Sequence, residues 1–530
     1  MTRGTSPALG ASVALILIAL TAGCTIGAPT AASTPQPTAT PNPNAAADAM
    51  AVVTPESVQA AIDDLDASVA AAMERTGTPG IAVGVVYDGE TVFAEGYGVR
   101  DVDSGEPVDP DTVFALASTS KSLGATVVAR AIDEGLVSWD TPVSQHLEGF
   151  ALADPYVTAH VTIADMYAHR SGLYEHAGDE LEEIGYDRAA ILDRLRSTPL
   201  EPFRAVYQYG NFDITAAAES VARAAGEEWE DLSERLLYEP LGMTSTSSRH
   251  ADLESRENRA LGHVVVDGEW VVTDPQRNPD AQSPAGGVSS SIADMTTWLA
   301  MLLAAGEHDG ETFLTEEALL PAMSPQIITG APPTPDSRAS AYGYGFNIST
   351  SVGGLVDISH SGAFRSGTGT IAKMQPGPGL GIVVLSNASA NGVVEGIAGR
   401  FMEVAQFGQE RRDWLAYWTD IFEQLSQPMG ELAGQEPPAD PEPAGDLASY
   451  AGAYANEFFG PATVRVDGDG LRLTLGPTGE WPLEHWSGDV FVFRPTGENA
   501  TTGTISQATF DGDTLVLEYF DTHGLGSFTR

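Results

Sequence analysis

The 530-residue chain carries 73 acidic against 26 basic residues, a formal net charge of −47, and 42% of its residues are hydrophobic; it is long enough for one large folded body and a smaller one. The charge balance excludes a nucleic-acid binder, which needs Lys/Arg patches against phosphate, and a basic face for anionic headgroups. The acidity reads as a solvated, self-repelling surface rather than a device that attracts substrate. Among the basic residues only Lys121 and Lys373 are lysine, and the rest are arginine. Lysine can lose its proton when desolvated and arginine effectively cannot, so each of the two raises a question of chemistry.

At the amino terminus, residues 1–23 read as a secretion leader. Arg3 supplies a positive start, and Ala8 to Ala19 form an apolar stretch interrupted by Gly10 and Ser12, too short for a comfortable membrane span. Leu20-Thr21-Ala22-Gly23-Cys24 follows, with the one cysteine of the chain, and resembles a bacterial lipobox. That resemblance implies cleavage before Cys24 and a lipid on it, hence an extracytoplasmic, lipid-anchored protein, or a secreted one if the lipobox is not used. Residues 24–50, rich in Ala, Thr, Pro and Asn, suit a flexible tether. No later apolar run is long enough to span a bilayer, so membrane contact is expected only through the anchor.

A larger domain is expected over residues 51–410. Thr54 as N-cap and Pro55 behind it open a helix whose apolar face is Val58, Ile62, Leu65, Val69 and Met73. Ile81–Tyr87 and Thr91–Tyr97 read as strands joined by Asp88-Gly89, a hairpin turn signal. A helical pattern from Ser122 to Glu134 stops at Gly135, another runs from Ile214 to Ala225, and a third, capped by Ser291, spans Ile292–Ala305. Thr368–Met374 and Gly381–Ser386 read as further strands. Strands at both ends with helices between predict an α/β fold around an antiparallel sheet. Residues 411–443, ending in the Pro-rich stretch Gln435–Pro443, read as a linker. Residues 444–530 alternate apolar and polar positions, as in Leu471/Leu473/Leu475, with turns at Asp467-Gly468-Asp469-Gly470 and Asp511-Gly512-Asp513, and predict a small all-β barrel.

Three segments carry chemistry. Ser118 precedes the first long helical pattern, and Lys121 lies three residues on, one turn along the same face. The amino end of a helix offers N–H groups to a developing anion, and a neighbouring amine can take the hydroxyl proton. Tyr209-Gly210-Asn211 adds a phenol able to relay protons and an amide able to bind substrate. His360-Ser361-Gly362, placed ahead of the strand at Thr368, offers backbone to a substrate or an oxyanion.

Ser118-x-x-Lys121, Tyr209-x-Asn211 and His360-x-Gly362 in this order resemble the serine β-lactamase and penicillin-binding-protein family, in particular the class C β-lactamases and the related family VIII esterases and D-amino-acid peptidases. Thr162-Ile163 through His169, Ser171, Gly172 and Leu173, the segment Pro284-Ala285-Gly286-Gly287, and Tyr342-Gly343-Tyr344-Gly345-Phe346 match in order as well. The resemblance covers roughly residues 55–405. It implies a β-lactamase-like antiparallel sheet flanked by helices, with an all-α insert. It also implies that Ser118 is acylated, that Lys121 and Tyr209 share the proton traffic, and that Asn211 binds a substrate amide or helps hold Lys121. The oxyanion would sit between the backbone N–H groups of Ser118 and Ala363, with His360 and Gly362 on the substrate. The departure from the β-lactamase pattern is His360 in place of Lys, which would hold a substrate carboxylate less firmly and favours ester or peptide substrates. The last domain resembles the small lipocalin-like barrel that follows such hydrolases, in Tyr450 to Asn456, Gly460 and Leu483 to Trp486.

Lys373 reads as a strand-edge lysine, His169 as a structural residue and Arg365 as a surface residue. No metal-ligand spacing, phosphate loop or Gly-x-Ser-x-Gly elbow occurs, so neither a metal nor a cofactor is expected. The expected function is a serine hydrolase acting through acyl-Ser118 on ester, amide or D-amino-acid peptide substrates at the cell envelope. The alternative is a slowly acylating penicillin-binding or cell-wall-peptide sensor; the presence of Ser118, Lys121, Tyr209 and Asn211 together counts against a decayed site.

Overall fold

The computed structural model describes residues 52–332 and 338–530; the leader, lipobox and tether, with Cys24, lie outside them. The chain divides into a larger unit reaching to Gln424 and a smaller one, Leu425–Arg530.

The larger unit is an α/β layer structure around an eight-stranded antiparallel sheet. In chain order its strands are β1 (Gly80–Tyr87), β2 (Glu90–Gly98), β3 (Ile327–Gly330), β4 (Ser340–Tyr342), β5 (Asn347–Thr350), β6 (Val356–Phe364), β7 (Thr368–Gln375) and β8 (Leu380–Ser386). They lie in the order β2-β1-β8-β7-β6-β5-β4-β3, so the two ends of the unit meet at β1 and β8. The Asp88-Gly89 turn forms as expected, with both residues at positive φ (52° and 80°), the combination a two-residue hairpin demands. β1 and β8 are buried on both faces, which is why they read as continuous apolar runs rather than alternating ones. One face takes α1 (Pro55–Asp63), α2 (Leu65–Thr76) and a helix near the end of the unit, Val393–Phe407. The other takes Ile292–Leu303, which approaches so closely that a Cβ on Gly84 would lie 2.3 Å from the Thr296 methyl.

The structure departs from the sequence reading in several places. The first helix is two: Thr54 caps it with a full capping box, but it breaks at Asp64 and resumes at Leu65. His360-Ser361-Gly362 precedes the strand at Thr368 as read, and also lies inside a strand of its own, β6, in a hairpin with β7. Lys373 is not at an edge; β7 runs between β6 and β8, and the ammonium pairs with Asp357 at 3.1 Å. Residues 411–443, read as a linker, include the helix Trp414–Leu425, whose Trp414 and Leu415 pack on Gly399 and Gly396.

The smaller unit is a nearly closed barrel of eight consecutive antiparallel strands from Gly452–Tyr454 to Ser527–Thr529. Ala455 and Thr529 exchange backbone hydrogen bonds of 2.6 and 3.0 Å, which brings the first and last strands together. Its interior is filled by its own residues: Leu471, Leu473, Leu475, Phe491, Phe493, Leu515, Leu517 and Phe528 are all buried. Among the described residues no helix is long and apolar enough to cross a membrane.

Candidate active site

Ser118 is not in the first turn of the long helix but in a 3-10 turn, Ala117–Thr119, that leads into α3 (Ser120–Asp133). Ala117, just before it, has φ +46°, a left-handed conformation that costs energy in a residue with a side chain. The surroundings enforce it. Thr370 Oγ1 donates to the Leu116 carbonyl (2.7 Å), Val288 N–H donates to Ser120 Oγ (3.0 Å), and Ser122 Oγ donates to the Gly345 carbonyl (2.6 Å). Ser118 itself stays partly exposed while its neighbours are buried.

The 3-10 turn and α3 carry Lys121 back onto Ser118. The ammonium is completely buried, and Nζ lies 3.1 Å from Ser118 Oγ, 2.6 Å from Asn211 Oδ1 and 3.0 Å from the Ala285 carbonyl. Burial pushes its pKa down to about 7, with the charges of Asp179 and Asp213 pulling the other way. Nζ also stands 4.7 Å over the centre of the Tyr209 ring.

Tyr209 and Asn211 come from the segment entering the helix Phe212–Ala225. The Tyr209 hydroxyl is buried; it faces Ser118 but does not complete a hydrogen bond with it. Burial drives its pKa well up, the nearby Ser118 hydroxyl opposing, so the phenol keeps its proton. Asn211 donates from Nδ2 to Asp179 Oδ2 at 2.9 Å. His169, read as structural, is buried against the same segment with Nδ1 2.8 Å from Asp213. Burial keeps that imidazole below its ordinary pKa despite Asp213.

β6 brings the third segment alongside. β5 pairs with β6 only as far as Ser359, so His360 to Phe364 have a strand partner on the β7 side alone. Gly362 lies against the nucleophile turn: a Cβ there would stand 2.2 Å from the Leu116 carbonyl and 2.9 Å from Ser118 N. Only glycine permits that approach. Ala363, partly exposed, is opposite Gly369. The His360 ring is buried, with Nε2 2.9 Å from Tyr342 Oη and Nδ1 2.7 Å from the Ser361 carbonyl. Burial, then the charge on Lys121, lower its pKa to about 3. It is therefore a neutral ring that donates to Ser361 and accepts from Tyr342.

The structure thus gathers Ser118, Lys121, Tyr209, Asn211, His360 and Gly362 at one place, with Ala363 next along β6. Sequence reasoning assigned no role to Ala285, Asp179, His176 or Tyr342. Ala285 and Tyr342 fall in segments already matched by resemblance; Asp179 and His176 sit in a polar stretch with no spacing signal. No group of three or more His, Cys, Asp or Glu able to hold a metal occurs among the described residues.

The family model described as Beta-lactamase matches residues 65–406, and one described as a domain of unknown function, DUF3471, matches residues 436–515. The chain is 29% identical over 400 residues to "Penicillin-binding protein 4" of Amycolatopsis lactamdurans, covering 72% of this chain and 94% of that protein. It is 26% identical over 470 residues to "Unguisins hydrolase ungD" of Aspergillus violaceofuscus, covering 81% of this chain and 82% of that one. A solved structure, the octameric penicillin-binding protein homologue from Pyrococcus abyssi, shares the fold with a TM-score of 0.58 at 21% identity, over 88% of this chain and 100% of that one.

Proposed function

Because the chain belongs to the beta-lactamase family, we propose that it is a serine hydrolase working through an acyl-Ser118 intermediate on ester, amide or D-amino-acid peptide substrates at the cell envelope. The observation that carries the reading is the placement of a buried amine, Lys121 Nζ, 3.1 Å from the hydroxyl of a partly exposed serine. With its pKa down to about 7, Lys121 has a large neutral fraction near neutral pH and can accept the Ser118 proton as Oγ bonds to the substrate carbonyl carbon. The oxyanion that forms sits between the N–H groups of Ser118 and Ala363. Collapse expels the leaving group, which takes a proton from the Tyr209 hydroxyl; Tyr209 is restored from Lys121. Water then attacks the acyl carbon by the same route and frees Ser118.

His360 supports the choice of substrates. Its ring is neutral and both nitrogens are engaged, so position 360 gives no cation to a substrate carboxylate such as a β-lactam carries. The test is a panel of a p-nitrophenyl ester, a D-alanyl-D-alanine peptide and a chromogenic cephalosporin, with intact-mass analysis of Ser118. The expected result is turnover of the ester or peptide well ahead of the cephalosporin. Fastest turnover on the cephalosporin would overturn the substrate choice, and a lasting adduct without turnover would establish the sensor reading instead.

The envelope location rests on the Leu20–Cys24 segment. Full-length protein made in a bacterial host is expected to enter the detergent phase of a Triton X-114 separation, and Cys24→Ala the aqueous phase. Aqueous partition of both would remove the lipid anchor.

A further inference from the structure

We propose that Asp179 is a positioning residue for the reaction: by holding Asn211 with its amide oxygen turned to Lys121, it sets which way the Lys121 amine faces Ser118. The inference rests on Lys121 acting as the base toward Ser118.

Lys121 Nζ has three polar partners, and they are not alike. Asn211 Oδ1 and the Ala285 carbonyl can only accept, whereas Ser118 Oγ can also donate. A neutral amine has two N–H bonds and one lone pair. If both N–H bonds go to the two acceptors, the lone pair is left for the one partner with a proton to give, which is Ser118. That arrangement needs Asn211 to present oxygen. An asparagine amide has nearly the same shape after a half-turn, and the turned form would aim an N–H at Nζ. The amine's lone pair would then accept that hydrogen bond and leave an N–H facing Ser118, the wrong polarity for a base.

Asp179 is what distinguishes the two orientations. Its Oδ2 lies 2.9 Å from Asn211 Nδ2 and 2.9 Å from His176 Nδ1, accepting from both. The carboxylate is buried, so a turned Asn211 would set carbonyl oxygen against carboxylate oxygen with no water to separate them. His176 holds the same oxygen from the preceding turn. Although burial opposes it, the hydrogen bond to Asp179, the Asp179 charge and Glu175 raise the pKa of His176, which keeps its Nδ1 a donor. The other ionisable groups coupled electrostatically to Lys121, His176 or Asp179 are Asp213, His169, His360, Glu175, Glu180, Glu182, Tyr174 and Tyr209; of the charged groups around Asn211, Lys121 bonds its amide oxygen and Asp179 its amide nitrogen.

Asp179→Asn tests this, because it keeps the size and removes both the charge and the acceptor-only character. With p-nitrophenyl acetate, kcat is expected to fall about 10- to 100-fold, the range a misplaced reacting group costs, with KM changed less than about twofold. The acid limb of kcat is expected to move to lower pH, since Lys121 loses a neighbouring negative charge. If that variant does not fold, His176→Phe, which releases only the second hold on Oδ2, is expected to lower kcat about 3- to 10-fold, a smaller misplacement of the same group. A folded Asp179→Asn with the kcat and acid limb of the parent overturns the proposal, as does a loss confined to KM. Ser118→Ala separates the two levels: if it retains parental turnover the acyl-Ser118 reading fails, whereas a dead Ser118→Ala beside an unaltered Asp179→Asn removes the role of Asp179 alone.

Discussion

Ser118→Ala is expected to eliminate the acyl adduct seen by mass and to lower ester turnover by a factor on the order of 10⁴–10⁶, the cost of removing a nucleophile from a preassembled site. The substitution removes one oxygen from a partly exposed position, so the fold should be unaffected. Lys121 Nζ, which hydrogen-bonds Ser118, and the Tyr209 hydroxyl, which faces it, would be left beside the gap. Lys121 has no oxygen to form an ester and is tied to Asn211 and Ala285, and burial keeps the Tyr209 phenol protonated, a weak nucleophile. Parental turnover, or an adduct mapped to another residue, would show that the chemistry runs elsewhere. The measurement is a burst and steady-state assay with a p-nitrophenyl ester, joined to peptide mapping of the adduct.

Lys121→Arg is the second large effect, with an expected loss of about 10²–10⁴-fold in kcat/KM, the usual contribution of general-base catalysis. Arginine keeps the positive charge and the donors but cannot give up its proton, so it separates a base from a fixed cation. In the parent, the ammonium form below about pH 7 cannot accept a proton. Its kcat/KM is therefore expected to rise about tenfold per pH unit on the acid side and to level off above about 7. His360 adds no limb there, because it titrates near 3. Lys121→Met is the packing control: it fills the same buried space without a charge and is expected to keep the melting temperature while losing activity. A fully active Lys121→Arg enzyme with an unchanged acid limb would move the base to another group.

Much of this site was readable along the chain because its parts are local. Ser118 and Lys121 are one helical turn apart, Tyr209 and Asn211 are two residues apart, and the scarcity of lysine marked Lys121 as unusual in a chain of arginines. The fold class was readable for a similar reason: the Asp88-Gly89 hairpin and the apolar runs at β1 and β8 are decided by neighbouring residues. What escaped were contacts between distant positions. Asn211 reaches Asp179 across 32 residues, and Lys121 reaches the Ala285 carbonyl across 164. A backbone carbonyl carries no side-chain signature at all. The break at Asp64 was missed because the apolar spacing of three and four continues straight through it.

By itself, then, the sequence determined which chemical groups are present, their order, and the local elements that carry them, since turn conformation and periodicity depend on adjacent residues. It could name Lys121 and His360 but not their protonation. Only the tertiary structure decided that, because desolvation depends on what covers a group. The sheet and helices that bury Lys121 bring its pKa to about 7 and that of His360 to about 3. Tertiary packing likewise turned a common Ser-x-x-Lys spacing into an amine 3.1 Å from a hydroxyl, by pressing Gly362 of β6 against the turn that holds Ser118.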